Sequence, residues 1–173
     1  RETCEVVLTF DDQSFFAQTR NTLIMNFSLK NKKLIVTGAT SGIGQAIAIA
    51  AAQAGADIAF CGHTDVGADK TIEAIEQAGQ RHFFKVVQLA DLDAARAFGE
   101  EAIHFLGGLD GLVNNAGAAW RGSFGDTGWE NLERHMKLNF ESVARLTEAL
   151  LPVLRRSAPS SIACSPAVRS GCS

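Results

Sequence analysis

The stretch that most constrains this chain is Leu34-Ile35-Val36-Thr37-Gly38-Ala39-Thr40-Ser41-Gly42-Ile43-Gly44-Gln45-Ala46-Ile47-Ala48. Residues of strand character run straight into three glycines, and an alanine-rich helical pattern begins at once behind them. The chain must leave a strand, turn sharply and enter a helix within a few residues. Such a turn leaves the first backbone N–H groups of the helix without intrahelical partners, and the positive end of the helix dipole adds its attraction for an anion. A dinucleotide pyrophosphate suits that place. Gly38 then allows the tight turn, Gly42 lets backbone approach phosphate with no Cβ in the way, and Gly44 lets the helix pack closely on the strand. In a chain with 16 glycines the spacing alone is weak. The apolar strand before it and the helix after it supply the context that the motif requires.

Behind this unit, strands and helices alternate. The first helix is expected at Ile43–Ala54, stopped by Gly55, and Asp57–Cys61 reads as a buried second strand. A helix carrying Ile72 and Ile75 follows and ends at Gly79, and a third strand is expected at Phe83–Leu89. Asp91 is placed to cap a helix at Ala94–Leu106, which Gly107 and Gly108 end. Leu109–Asn115 reads as a fourth strand, Trp129–Leu154 as a helix broken only at Pro152, and Ser160–Cys164 as a fifth strand. This alternation predicts an α/β fold, a Rossmann-like doubly wound parallel sheet in the order 3-2-1-4-5 with helices on both faces. Ligands of such sheets bind off the carboxyl ends at the switch point between the first and fourth strands, where the glycine turn and Asn114–Gly117 both end.

With 173 residues and 46% hydrophobic content, the chain has room for one domain with a real core. A net charge of −3 provides no basic field, so neither nucleic acid nor an anionic membrane is expected as a partner. The four cysteines, Cys4, Cys61, Cys164 and Cys172, have no metal-ligand spacing. No metal is expected, and free thiols fit a cytoplasmic protein. No run approaches the ~20 apolar residues that cross a bilayer, and the opening residues show neither the basic n-region nor the apolar h-region of a signal peptide, so none is expected. Met25 is expected as the natural start, with residues 1–24 an upstream extension or, on the rival reading, a short extra strand at Glu5–Phe10. Residues 25–162 would then form the dinucleotide-binding domain and 163–173 a divergent tail.

The glycine spacing is T-G-x-x-x-G-x-G at Thr37–Gly44. Asp91-Leu92 follows the third strand, Asn114-Asn115-Ala116-Gly117 ends the fourth, and Asn139 lies in Met136–Val143. Together, in this order, they resemble the short-chain dehydrogenase/reductase family from about Met25 to Ile162. The resemblance implies an NAD(P)-dependent oxidoreductase acting on an alcohol or ketone, in general character like the sugar-acid and 3-oxoacyl reductases. It implies that Gly38, Thr40, Ser41, Gly42, Ile43 and Gly44 receive the cofactor pyrophosphate side. Asp91 would hydrogen-bond the adenine amine, with Leu92 offering its backbone, and Asp91 serves equally as a helix cap. Asn115, Ala116 and Gly117 would run along the cofactor ribose. The residue ending the second strand meets the adenosine ribose, and in this chain it is Gly62, with His63 where phosphate-recognising members often carry arginine. This favours NADP over NAD, although His63 also reads as a plain surface residue and Asp65 lies close by.

In that family a tyrosine and a lysine four residues later move the hydroxyl proton, a serine polarises the carbonyl, and an asparagine matched in this chain by Asn139 orients the lysine. This chain has no tyrosine, and its last lysine is Lys137. The serine position falls on Ala167, with Ser165 arriving early beside Pro166. The tail Ala163–Ser173 is expected to reflect truncation or a changed reading frame, and the chain as it stands is expected not to turn over; the alternatives are a non-catalytic dinucleotide-binding module and an inert truncated product. His82, His104 and His135 read as structural or surface residues; Trp120 and Trp129 border the cleft or pack in the core. A homo-oligomer is expected, formed through an exposed fifth-strand edge and an uncovered apolar face of Leu146, Leu150 and Leu154.

Overall fold

The computed structural model of the chain describes residues 28–157 and 161–164. The expectations for residues 1–24, for Met25 and for Ser165, Pro166 and Ala167 lie outside the described residues. Among the described residues eleven elements follow one another: β1 (Lys33–Thr37), α1 (Gly42–Gln53), β2 (Asp57–Gly62), α2 (Ala68–Gln77), β3 (His82–Val86), α3 (Leu92–Leu106), β4 (Gly111–Asn114), α4 (Phe124–Met136), a π-helical turn (Lys137–Glu141), α5 (Ser142–Leu154) and β5 (Ser161–Cys164). The strands form one parallel sheet in the order β3-β2-β1-β4-β5. That is the expected order, and it puts the ends of β1 and β4 side by side at the switch point.

Two apolar clusters cover the two faces of the sheet. Val36, Ile58, Phe60 and Ile75 pack with the buried alanines of α1 on one side. Ile35, Phe98, Leu106, Leu112 and the α5 leucines pack on the other. Successive residues of β1 feed opposite faces, as a strand covered on both sides requires.

Several boundaries differ from expectation for local reasons. β3 stops at Val86 because Val86 pairs with Gly62, the last residue of β2, although Val87 and Leu89 stay buried beyond it. β4 stops at Asn114 because Asn115 turns its hydrogen bonds toward Thr37 instead of the ladder. The helix expected to break at Pro152 runs through it to Leu154. Pro152 removes the one backbone N–H that would reach the Glu148 carbonyl, and the turns on either side hold the helix through it. The interruption falls instead at Lys137–Glu141, where the backbone widens into a π turn; α4 also starts earlier than expected, and Gly128, with φ of 58° and ψ of −154°, kinks it ahead of Trp129.

The expected uncovered face is also corrected. Leu146, Leu150 and Leu154 are buried, packed against α3. Gly99 is the reason: a Cβ there would lie 2.8 Å from Leu150 Cδ2 and 3.3 Å from Leu146 Cδ1, so its absence lets the two helices close. The exposed large apolar residues of this region lie elsewhere, at Trp129, Leu132, Met136 and Phe140.

Candidate functional site

The crevice at the switch point is built from the glycine turn on one wall and the chain leaving β4 on the other. Thr37, the last residue of β1, is the hinge between them. Its buried hydroxyl accepts the backbone N–H groups of Asn115 and Ala116, each at 3.0 Å. The Asn115 side chain returns the tie, its Nδ2 donating to the Thr37 carbonyl at 2.9 Å and to that of Gly38 at 3.1 Å. A Cβ on Gly44 would collide with Asn115 Nδ2 and with the Gly38 carbonyl oxygen. The third glycine of the turn therefore lets the first turn of α1 seat directly on the strand ends, as its spacing suggests.

The first turn of α1 is open to solvent. Ser41 and Gly42 are exposed and Ile43 is 56% exposed, so the helix N-terminus faces outward across the crevice. Gly42 has φ of 62°, a left-handed conformation that side chains strain, so the backbone itself calls for glycine there. Thr40, expected at the pyrophosphate, is buried and packs against Gly62. One buried acceptor is left over: Asn115 Oδ1 has no hydrogen-bond partner among the described residues. A buried amide oxygen held between two strand ends at a helix N-terminus is a group that a ligand or a water completes.

The flank expected to meet adenosine is equally well defined. Asp91 caps α3, and both backbone N–H groups, of Asp93 and Ala94, are accepted by Oδ1 at 3.1 Å. Oδ2 takes no part in the cap, so capping leaves an oxygen for a second task. Leu92 begins α3 and is half-buried. His63 is exposed, and its carbonyl accepts from Gln88 Nε2 at 3.1 Å. At position 62 there is no room for a side chain: a Cβ would stand 2.5 Å from Thr40 Cγ2 and 2.8 Å from Thr40 Oγ1.

Asn139 sits in the π turn and reaches across to the chain after β4. Its Oδ1 accepts the Ala118 N–H at 3.0 Å and its Nδ2 donates to the Ala118 carbonyl at 2.8 Å. His135, read as structural or surface, proves to be a tie of the same kind. Its Nε2 accepts the Trp120 N–H at 2.8 Å, which leaves Nδ1 to donate to the Asn131 carbonyl at 2.7 Å. Asn131 Nδ2 donates to the Trp120 carbonyl at 3.2 Å, and the Arg134 guanidinium lies 4.0 Å from the centre of the Trp120 ring. Trp120 is thus part of a side-chain cluster, and Trp129 is exposed. Sequence reasoning misses this ladder. The signal is present, since Asn131, His135 and Asn139 are spaced four apart and share one helix face.

The remaining groups are quiet. Cys61 is buried in β2, and burial pushes its thiol up to about 12. Among the described residues no His, Cys, Asp and Glu side chains converge as a metal site, and no helix is long and apolar enough to cross a membrane.

Comparison with known proteins agrees with this geometry. The sequence pattern of the short chain dehydrogenases matches residues 32–165. An L-rhamnose 1-dehydrogenase (NAD(P)(+)) from Sphingomonas sp. (strain SKA58) is 37% identical over 122 residues, which are 70% of this chain and 48% of that protein. A 7α-hydroxysteroid dehydrogenase solved with NADH and 7-oxo glycochenodeoxycholic acid superposes with a TM-score of 0.75 at 31% identity, covering 80% of this chain and 54% of the other. A short chain dehydrogenase from Burkholderia cenocepacia J2315 solved with NADP gives the same TM-score and identity, covering 80% and 56%. The chain spans about half the length of the curated relatives it matches. With the match to the family pattern, the parallel sheet order and the interlocked glycine turn in agreement, the chain belongs to the short-chain dehydrogenase family.

Proposed function

We propose that this chain is the dinucleotide-binding part of an NAD(P)-dependent oxidoreductase that interconverts an alcohol and a ketone. The observation that carries the reading is the interlock of Gly38, Gly44 and Asn115, which presents the N-terminus of α1 at the switch point and leaves Asn115 Oδ1 unpartnered. Gly38, Ser41, Gly42, Ile43 and Gly44 would hold the pyrophosphate, with Thr40 supporting the turn from beneath. Asp91 and Leu92 would meet the adenine, and Asn115, Ala116 and Gly117 the ribose side. When bound, the nicotinamide supplies the hydride chemistry. Asn139 acts on this reading as a positioning residue, because its whole amide is spent on the Ala118 backbone.

NADP is the favoured cofactor. A carboxylate that would accept from a 2′-hydroxyl has no space at Gly62 beside Thr40, and His63 is the exposed residue next in line. Self-association belongs to the same reading, now through the exposed stripe Trp129, Leu132, Met136 and Phe140.

The chain contains no tyrosine, so the proton-transfer step has no agent of the expected kind, a step that commonly supplies about 10² to 10⁴-fold in rate. These 173 residues are therefore expected to bind dinucleotide without oxidising common alcohols. Calorimetric titration with NADP and NAD tests this, with Gly42→Val as the control. Binding by the parent chain and none by the variant supports the reading; equal binding by both overturns it.

A further inference from the structure

Gln45 follows the glycine turn immediately, and its place in a helix suggests nothing beyond a solvated amide. In the structure its Nε2 lies within hydrogen-bond distance of three oxygens from three segments: the Thr40 carbonyl at 3.1 Å, the Gly67 carbonyl at 3.1 Å and Thr71 Oγ1 at 2.9 Å. Thr71 is fully buried and passes the chain on, its hydroxyl donating to the Ala39 carbonyl at 2.9 Å. The direction of every bond is thereby set. Only a donor is tolerated at the end of side chain 45, because all three facing atoms accept.

The segment held in this way is Gly62–Gly67, which joins β2 to α2. It lies directly on the glycine turn: a Cβ on Gly67 would collide with the Thr40 carbonyl oxygen, and one on Gly62 with the Thr40 side chain. Gln88 fastens its other side through the His63 carbonyl. His63, Asp65 and Val66 remain exposed on a backbone pinned from both flanks.

We propose that Gln45 sets the discrimination between 2′-phosphorylated and unphosphorylated adenosine dinucleotides, as a positioning residue that pins Gly62–Gly67 against the glycine turn and so fixes His63 and the backbone beside it. The inference rests on the dinucleotide reading of the crevice. On this reading the pyrophosphate meets the N-terminus of α1, where Gln45 contributes only its bond to the Thr40 carbonyl. The 2′ substituent needs the pinned segment, because a charge-assisted contact to phosphate depends on donors held in place.

The test compares NADP and NAD affinities by calorimetry for the parent chain, Gln45→Leu and Gln45→Lys. Leucine keeps the bulk and removes the donor, while the lysine ammonium restores three donors for the three acceptors. Gln45→Leu is expected to lose about tenfold in NADP affinity and less than about twofold in NAD affinity, the size of one charge-assisted hydrogen bond. Gln45→Lys is expected to recover the parent ratio. A general loosening of the fold would lower both affinities together, so an unchanged ratio in Gln45→Leu overturns the inference while leaving the crevice reading intact. A parent chain that binds neither dinucleotide overturns both. Should Gln45→Leu fail to fold by thermal melting, Thr71→Val removes the buried end of the same chain of bonds, and the same ratio decides.

Discussion

On the β1 side of the crevice the parts interlock without free space: Gly44 is seated on the Gly38 carbonyl, and the buried Thr37 hydroxyl and Asn115 amide each bond to main-chain groups of the opposite strand end. On the β4 side the chain at 118–120 is held by three side chains of one helical face, Asn131, His135 and Asn139. A close-packed interlock tolerates no added atom. A side-chain ladder loses its rungs one at a time. The two walls therefore differ in how they fail, and the first is where a ligand needing fixed N–H groups is expected to be gripped.

The largest effect should come from breaking the interlock. Gly44→Val drives a branched side chain into the Gly38 carbonyl, which is backbone, and into Asn115 Nδ2, which two carbonyls hold in place. A loss of about 3 kcal/mol or more in unfolding free energy is expected by urea titration, since overpacking at backbone cannot relax by changing rotamers. A cost below about 1 kcal/mol would show that the walls are less tightly engaged than the structure has them.

Removing rungs should cost less and act locally. Asn139→Ala deletes two bonds to Ala118 and should cost about 2 kcal/mol, whereas His135→Phe deletes the Trp120 tie and should cost about 1 kcal/mol. Both should leave NADP affinity within about twofold of the parent if the β1 wall carries the pyrophosphate. Equal losses of affinity in these variants and in Gly42→Val would mean that the two walls act as one unit.

The smallest effect concerns Cys61, behind the β1 wall. Burial pushes its thiol up to about 12, so the native state keeps it neutral where the unfolded chain ionises near the ordinary thiol value of 9.0. The folded pKa is raised, so the stabilising contribution is complete below about pH 9 and is lost as pH rises from there toward about 12. Peptide mapping after thiol labelling at about pH 8 should find Cys61 unmodified in the native chain and modified once urea unfolds it. Rapid native labelling would place it nearer the surface.

The β1 wall is legible in the sequence because its requirements are steric and local. Only glycine serves at Gly42 and Gly44, and a strand and a helix flank them within a few residues. The sheet order follows from the alternation of elements, and the Asp91 cap from its place ahead of an apolar helix. The β4 wall is less legible. Its ties join residues 11 to 21 positions apart through a π turn, which the apolar period of the helix does not report. The leucine face of α5 reads as uncovered because its cover, the small-residue stripe of Ala95, Gly99 and Ala102 on α3, lies far back in the chain and carries no hydrophobic signal of its own. Gln45 escapes notice for a similar reason, since its partners are mostly carbonyls, and any sequence has those everywhere.

Whether the N-terminus of α1 grips the dinucleotide is tested most directly by amide hydrogen exchange of the chain with and without NADP, read residue by residue. Residues 41–44 are expected to exchange more slowly with dinucleotide bound, while the Ala118 and Trp120 amides, already tied to Asn139 and His135, change little. Protection that leaves residues 41–44 unchanged and appears at the Trp129, Leu132, Met136 and Phe140 stripe would contradict a grip by α1.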